Sequence, residues 1–411
     1  MVGNSPCFPP EFLRQSGDKI SGAAERALFF FGSPYEKAAS GILIAGVLHL
    51  LLMKPYPALA LSLALMLPAA MHAAFSYTVT DLGTLGGANA YAYAVNASGQ
   101  VAGKAMNAAG TYRAFAWWKG TMIDLGTLGG TYSSATGIND QAQVVGESST
   151  SGGATHAFVF SFSTGTMTDL GTLGGTYSTA AAINNHGIIV GTSTLGDGSD
   201  RAFAYVGGAM IDLGTLGGNS SKATAIDDSN VIVGTAARNV TLTLSDIFNE
   251  HGFVFINGSM LDLSALGGIF ASPSNYPVFP NGVSDSGIAG IYVPDPLGGF
   301  GPAGFAYLGA STVSLGNSST STGSEYGINA SGQVVGWYES IDPIHPTPQY
   351  ASIYSGGVLY DLNTAVDLSG SDFTELTEAT AISNNGYIVG IGTTTGGSTH
   401  AFLLTPIPPS S

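Results

Sequence analysis

Asp81-Leu82-Gly83-Thr84-Leu85-Gly86-Gly87 decides the fold, because the same seven residues return at 124 to 130, 169 to 175 and 212 to 218. The motif drifts to Asp262-Leu263-Ser264-Ala265-Leu266-Gly267-Gly268, and two weaker echoes follow at Ser314-Leu315-Gly316 and Asp361-Leu362-Asn363. Seven copies at intervals of 43 to 52 residues mark an array of equivalent units. A feature shared by every copy belongs to the scaffold before it belongs to an active site.

Two further signatures keep a fixed order with this one. About fifteen residues after each leucine motif stands a turn, read as Val95-Asn96-Ala97-Ser98-Gly99-Gln100-Val101-Ala102-Gly103 in the first unit. Its counterparts lie at 138 to 146, 183 to 191, 226 to 234, 283 to 290, 328 to 336 and 382 to 390. Asn, Asp or Ser at the first position of a type I turn and Gly in the left-handed region at the fourth make a hairpin. Asn230 suits that left-handed slot, while Ala142 strains it. The third signature is a short aromatic strand, from Arg113-Ala114-Phe115-Ala116-Trp117 and His156-Ala157-Phe158-Val159-Phe160 to His400-Ala401-Phe402-Leu403-Leu404. Alternation puts Phe158 and Phe160 on one side, as in a half-buried strand. Each unit thus reads as four short antiparallel strands, the size of a propeller blade.

The ends of the array favour a ring over a β-solenoid. The array opens with a leucine strand, Tyr77 to Leu82, that no aromatic strand precedes, and closes with an aromatic strand, His400 to Leu404, that no leucine strand follows. Each end supplies what the other lacks, so the expected fold is all-β: a seven-bladed β-propeller of four-stranded antiparallel blades, with the N-terminal strand joining the C-terminal blade. Such closure leaves no free sheet edge, whereas a solenoid needs two unlike caps.

Together, the His-Ala-Phe strands, the Asp-Leu-Gly-Thr-Leu-Gly-Gly motif and the Ile-Asn-x-x-Gly-x-Val-Val-Gly turn resemble the HAF-repeat family of extracellular bacterial repeat proteins across 77 to 404. The resemblance implies export and a repeat architecture, and it brings no catalytic residues with it. Units five and six depart from the pattern, losing the His or Arg of the aromatic strand and most of the leucine motif.

Upstream, Lys54, the apolar stretch 58 to 67 and the small-residue end Pro68 to Ala74 have the three parts of a secretory signal peptide. The apolar part is too short to span a bilayer as a relaxed helix. The expected organisation is an upstream extension at 1–52 from a start assigned too early, a signal peptide at 53–74, the repeats at 77–404 and a Pro/Ser tail at 405–411. A secreted, extracellular protein is expected, with a cell-surface or periplasmic location as the alternative and no stable membrane insertion after cleavage.

Composition narrows the function. The chain has 59 glycines and 9% charged residues, the usage of a turn-rich β protein. Beyond residue 74 it carries 6 basic and 23 acidic residues, which disfavours nucleic acid and anionic membranes. Cys7, the only cysteine, lies upstream of the repeats, so the body has no disulfide or thiolate ligand. The motif aspartates recur once per unit and read as strand-end caps rather than calcium sites. His156, His251 and His400 share a slot with Arg113 and Arg201, which excludes a shared metal-ligand role. No His-Glu-x-x-His or Gly-x-Ser-x-Gly motif is present. No catalytic residue, cofactor or metal is therefore assigned, and a monomer is expected.

Spacing points to one face. From the Asn turn to the aromatic strand the offset is 17 residues in four units but 24, 19 and 21 in units four to six. The insertions, at 236–250, 269–280, 291–302, 338–349 and 367–378, all fall on one face of a meander, as binding loops of repeat proteins do. They bring Tyr276, Phe279, Tyr292, Phe300, Trp337 and Tyr338 near several carboxylates. Aromatic rings with carboxylates suit a glycan, or another extracellular protein, as partner. The reading is a binding or structural module, with a polysaccharide hydrolase or lyase as the alternative.

Overall fold

The computed structural model describes residues 76–239, 250–266, 278–292, 303–308, 311–315, 321–340 and 349–407. The signal-peptide and extension readings, and both Tyr276 and Phe300, lie outside them.

All described strands belong to four-stranded antiparallel meanders. The first is β2 (Gly86–Val95), β3 (Val101–Asn107), β4 (Tyr112–Trp118) and β5 (Thr121–Asp124). The second is β6 (Gly129–Ile138), β7 (Gln143–Thr150), β8 (Thr155–Ser161) and β9 (Thr166–Asp169), and the third is β10 (Gly174–Ile183), β11 (Ile189–Leu195), β12 (Asp200–Val206) and β13 (Ala209–Asp212). A single parallel bridge, Tyr177 to Thr155, makes these two one eight-stranded sheet. The fourth is β14 (Gly217–Ile226), β15 (Ile232–Arg238), β16 (Glu250–Ile256) and β17 (Ser259–Asp262). The fifth is β18 (Val278–Ser284), β19 (Gly287–Tyr292), β20 (Ala303–Leu308) and β21 (Ser311–Ser314). The sixth is β22 (Ser321–Ile328), β23 (Val334–Ser340), β24 (Tyr350–Ser355) and β25 (Val358–Asp361).

The last sheet has the order β1 (Tyr77–Asp81), β28 (Thr399–Pro406), β27 (Ile388–Thr394), β26 (Phe373–Ile382). Val79 stands opposite Leu404 and Asp81 opposite Phe402, so the front strand completes the sheet at the back of the chain. Asp81 also holds His400 at 2.8 Å. Of the long insertion at 367–378, residues from Phe373 onward are already strand, so only 367–372 remain loop.

Each letter of the leucine motif has a physical task. The Asp accepts a hydrogen bond from the amide two residues on, at 2.8 Å for Asp81, Asp124, Asp169, Asp212, Asp262 and Asp361, which are the strand-end caps expected from sequence. Leu82, Leu125, Leu170 and Leu213 are buried. Gly83, Gly126, Gly171 and Gly214 turn the chain at φ of 73°, 79°, 73° and 83°, where a side chain is strained. Where Ser264 and Asn363 replace that glycine, the left-handed turn is lost. The chain makes a short 3-10 turn, Leu263–Leu266, and one helical turn, α1 (Leu362–Ala365), instead.

In the aromatic strands Phe115, Phe158, Phe203, Phe253, Phe305 and Phe402 are fully buried. Each stands opposite a glycine of the neighbouring strand, as Phe115 does Gly103. A Cβ on Gly103 would meet the Tyr91 carbonyl at 2.0 Å, so the ring and the glycine fit together and neither position tolerates a change of volume. The left-handed turn positions read from sequence are present too, Ala142 at φ 56° and Asn230 at 64°. The fifth turn is one residue shorter than the others, Ser284 pairing directly with Gly287.

Candidate functional site

The two ends of the first strands differ in chemistry. At one end the Asn turns of all the sheets line a shared cavity of about 220 Å³, reached by Asn96, Asn139, Asn184, Asp227, Ser284 and Ser383 among others. The turns are tied to each other in sequence. Asn96 Nδ2 donates to the Asn139 carbonyl at 3.0 Å, Asn139 Nδ2 to that of Asn184 at 3.2 Å, and Asn184 Nδ2 to that of Asp227 at 3.0 Å. Further on, Ser284 Oγ donates to the Asn329 carbonyl at 3.0 Å and Asn329 Nδ2 to that of Ser383 at 3.2 Å. The next residue of each turn adds an outer row: Asp140 Oδ1 accepts from the Ala97 amide, Asn185 Oδ1 from Asp140, and Asp228 Oδ1 from Asn185, each at 2.8 Å. Side chains that serve neighbouring turns are structural, and Asn185 Nδ2 already occupies both Asp140 and Asp228 carboxylates at 2.9 Å.

Toward the other end, where the insertions enter, stands an arc of tyrosines and carboxylates from successive sheets. Lys104 on β3 has its Nζ 5.4, 5.6 and 5.3 Å from the ring centres of Tyr91, Tyr93 and Tyr112. Tyr91 and Tyr112 meet edge to face at 5.9 Å. Three ring faces around one ammonium fix both partners, since each ring attracts the cation. On the second meander Tyr132 Oη donates to Glu147 Oε1 at 3.1 Å, and Tyr177 Oη of the third donates to Glu147 Oε2 at 3.4 Å. Gln349 Nε2, at the edge of an insertion, donates to Glu378 Oε1 at 2.9 Å.

The electrostatics keep these hydroxyls protonated. Burial, then Glu378, Tyr112 and Glu147, pushes Tyr93 up to about 12. Burial and Glu147 push Tyr177 up to about 12, and raise Tyr132 as well. Burial raises Glu378 above the usual carboxylate range, against the pull of Gln349. Tyr93 thus lies under the influence of two glutamates from the sheets on either side of its own. Half-buried rings and the exposed ring of Tyr177, with fixed donors and acceptors, can stack against and hydrogen-bond a polyhydroxylated ligand.

Of the residues read from sequence, four are described. Phe279 and Tyr292 are half-buried on β18 and β19. Phe279 pairs with Ile291 and Tyr292 with Val278, so the two rings leave opposite sides of the sheet. Tyr292 packs against the core around Phe305. Trp337 and Tyr338 are neighbours on β23 and likewise diverge. Trp337 Nε1 donates to Tyr326 Oη at 3.1 Å, and Tyr338 lies 5.9 Å from Tyr350. Burial, then Asp361, pushes Tyr338 up to about 12. These four therefore form no common surface. The arc escapes a reading of the sequence because its tyrosines lie inside regular repeats, Tyr91 and Tyr93 within β2, Tyr132 on β6 and Tyr177 on β10.

The His/Arg slot at the start of the aromatic strands ties strand to leucine motif. His156 Nδ1 lies 2.8 Å from Asp169 Oδ2 and Arg201 Nε 3.8 Å from Asp212 Oδ2, so one carboxylate oxygen caps the turn while the other holds the aromatic strand. Among the described residues no group of three or more His, Cys, Asp or Glu is placed to hold a metal ion. No described helix is long and apolar enough to cross a membrane.

The chain matches no protein-family profile and no curated protein. Among solved structures it is similar to the β-propeller domain of the Trilobed protease from Pyrococcus furiosus, described as having an open velcro topology. That likeness has 9% identity and a TM-score of 0.52, covering 81% of this chain and 97% of that one. A puromycin-hydrolyzing peptidase from Mycobacterium tuberculosis gives 10% identity and a TM-score of 0.48, over 78% of this chain and 52% of that one. AofleA from Arthrobotrys oligospora gives 11% and 0.39, over 69% and 87%. The first likeness agrees with the all-β meanders: the fold is a β-propeller.

Proposed function

We propose that this chain is an exported HAF-repeat protein, a closed ring of seven blades that binds a glycan through its tyrosine arc. The ring reading rests on the bonds between the last and first meanders. Thr380 Oγ1 donates to the Ala92 carbonyl at 2.8 Å, Asn385 Nδ2 to that of Ala97 at 2.7 Å, and the Thr399 amide to Asn89 Oδ1 at 3.1 Å. Export rests on the tripartite segment at 53–74. Intact-mass measurement of the exported protein tests it, the expected species beginning near residue 75.

The observation that carries the glycan reading is Glu147 held between Tyr132 and Tyr177 beside the ring cage of Lys104. It ties two tyrosine hydroxyls from consecutive sheets to one carboxylate, which places rings and polar groups on a shared surface. Affinity electrophoresis through neutral and acidic polysaccharides tests the reading. Retardation by at least one of them, lost when Tyr132 and Tyr177 are both replaced by Ala, is expected. Each ring contributes about 1 kcal/mol of contact beyond area, so the double change weakens binding roughly tenfold or more. No retardation by any polysaccharide contradicts it.

A polysaccharide hydrolase or lyase is the second reading, favoured by the two glutamates around Tyr93, one of them raised by burial. A buried carboxyl of raised pKa is the group that an acid catalyst requires. Release of reducing sugar that disappears in Glu378→Gln, with binding retained, is the result this reading requires.

A further inference from the structure

The turn-to-turn hydrogen bonds share one grammar, and Asp227 breaks it. In the turns of Asn96, Asn139, Asn184 and Asn329, Oδ1 accepts amides of its own turn, and Nδ2 reaches the carbonyl of the next turn's first residue. Asp227 keeps the backbone of that turn: its amide donates to the Val231 carbonyl at 3.1 Å, and its carbonyl receives the Asn230 amide. Its Oδ1 accepts the Val231 amide at 2.8 Å, the same task as the asparagine oxygen. Its carbonyl receives the incoming link from Asn184. The second oxygen then stands where the four asparagine turns carry an NH2 group, and the next turn's first residue is Ser284. An ionised carboxylate has no proton to donate there and repels the carbonyl; a protonated one donates as the asparagines do.

We propose that Asp227 is a proton-operated link, which in its protonated form donates to the Ser284 carbonyl and tightens the seam between the fourth and fifth meanders. The side chain is buried, 9% exposed, and burial is the first cause that pushes it up to about 6, with Asp285 and Asp228 adding to the effect. The groups facing it are the Val231 and Ser229 amides of its own turn, which favour the ionised form, Asp228 beside it, and Asp285 on the next sheet, which accepts from Ser229 Oγ at 2.9 Å. No cation appears among these facing groups. The seam also holds Thr224 Oγ1 to the Pro280 carbonyl at 2.7 Å and Ser229 Oγ to Asp285 Oδ1 at 2.9 Å, so loss of the Asp227 link loosens the junction without parting it.

The sign follows from the raised value. The folded state binds the proton more tightly than the unfolded chain, so this contribution to stability is present in acid and lost as pH rises from about 4 through about 6. Asp227→Asn supplies the donor at every pH. The test is the melting temperature of both proteins from pH 4.5 to 7.5, with the Ser284 carbonyl carbon shift followed by NMR. At pH 7.5 the variant is expected to melt a few degrees above the wild type, and the gap closes toward pH 4.5. The Ser284 shift is expected to titrate in the wild type and stay fixed in Asp227→Asn. In Asp285→Asn, which removes a nearby charge but adds no donor at Asp227, the titration is expected to persist with a lower midpoint. A Ser284 shift that is flat in the wild type, or that titrates equally in Asp227→Asn, overturns the proposal even if charge relief alone raises the melting temperature.

Discussion

In the third meander Phe203 fills the sheet opposite Gly191, Asp212 caps the next turn and Gly214 makes that turn at φ 83°. In the sixth, Ser352 stands opposite Gly336 in the phenylalanine position, and Asp361 caps a helical turn in place of a glycine turn. Both are four-stranded and both bury the same position, since Ser352 is fully buried as well. Its hydroxyl has no hydrogen-bond partner, one of two such side-chain atoms among the described residues. The backbone of a repeat therefore outlasts the side chains that specify it. Neighbouring sheets supply enough packing for one unit to lose its central ring.

That contrast is open to attack in order of effect. Phe203→Ala is expected to cost about 3–5 kcal/mol in urea unfolding, because the ring is fully buried between strands that cannot collapse onto it. A cost below about 1 kcal/mol would erase the difference between the two meanders. Gly214→Ala, at a left-handed position with open space around it, is expected to cost about 1–2 kcal/mol from backbone strain alone. Ser264→Ala, at the equivalent place in the fifth motif but with no positive φ, is expected to lose the hydroxyl's hydrogen bonds to Arg238 and Asp262, about 1 kcal/mol. Ser352→Ala is expected to be neutral or to stabilise by up to about 1 kcal/mol, since it removes an orphan buried hydroxyl; destabilisation would mean that Ser352 has a polar partner after all.

Much of this architecture was legible because period and punctuation agree. The Asn turn, the aromatic strand and the leucine motif gave four strands per unit, and the unmatched strands at the two ends gave the pairing of β1 with β28, now seen as Val79 opposite Leu404. The residues with two roles were less legible. Asp169 reads as a cap from its own motif, but its bond to His156 depends on strand register thirteen residues away. Asp227 reads as an ordinary variant of Asn, and only the carbonyl-to-carbonyl chain of neighbouring turns makes it an exception. The tyrosine arc was invisible for a related reason: no one unit contains it. Tyr93, Tyr132 and Tyr177 come from three repeats, and a search for insertions passes over residues that sit within the regular spacing. The lost phenylalanine at Ser352, by contrast, was written plainly in Tyr350-Ala351-Ser352-Ile353-Tyr354.

The account stands on the union of the chain's front strand with its last sheet, and cross-linking reads it directly. Val79 and Leu404 face each other as a pair flanked by the hydrogen-bonded positions, where Cα atoms lie about 4.5 Å apart, within reach of a disulfide. With Cys7→Ser, Val79→Cys and Leu404→Cys, the oxidised protein is expected to form one disulfide within the chain, to stay monomeric and to melt higher than its reduced form. A doubly substituted protein that stays reduced, or that oxidises only to linked dimers, would contradict the pairing of β1 with β28 and the ring proposed from it.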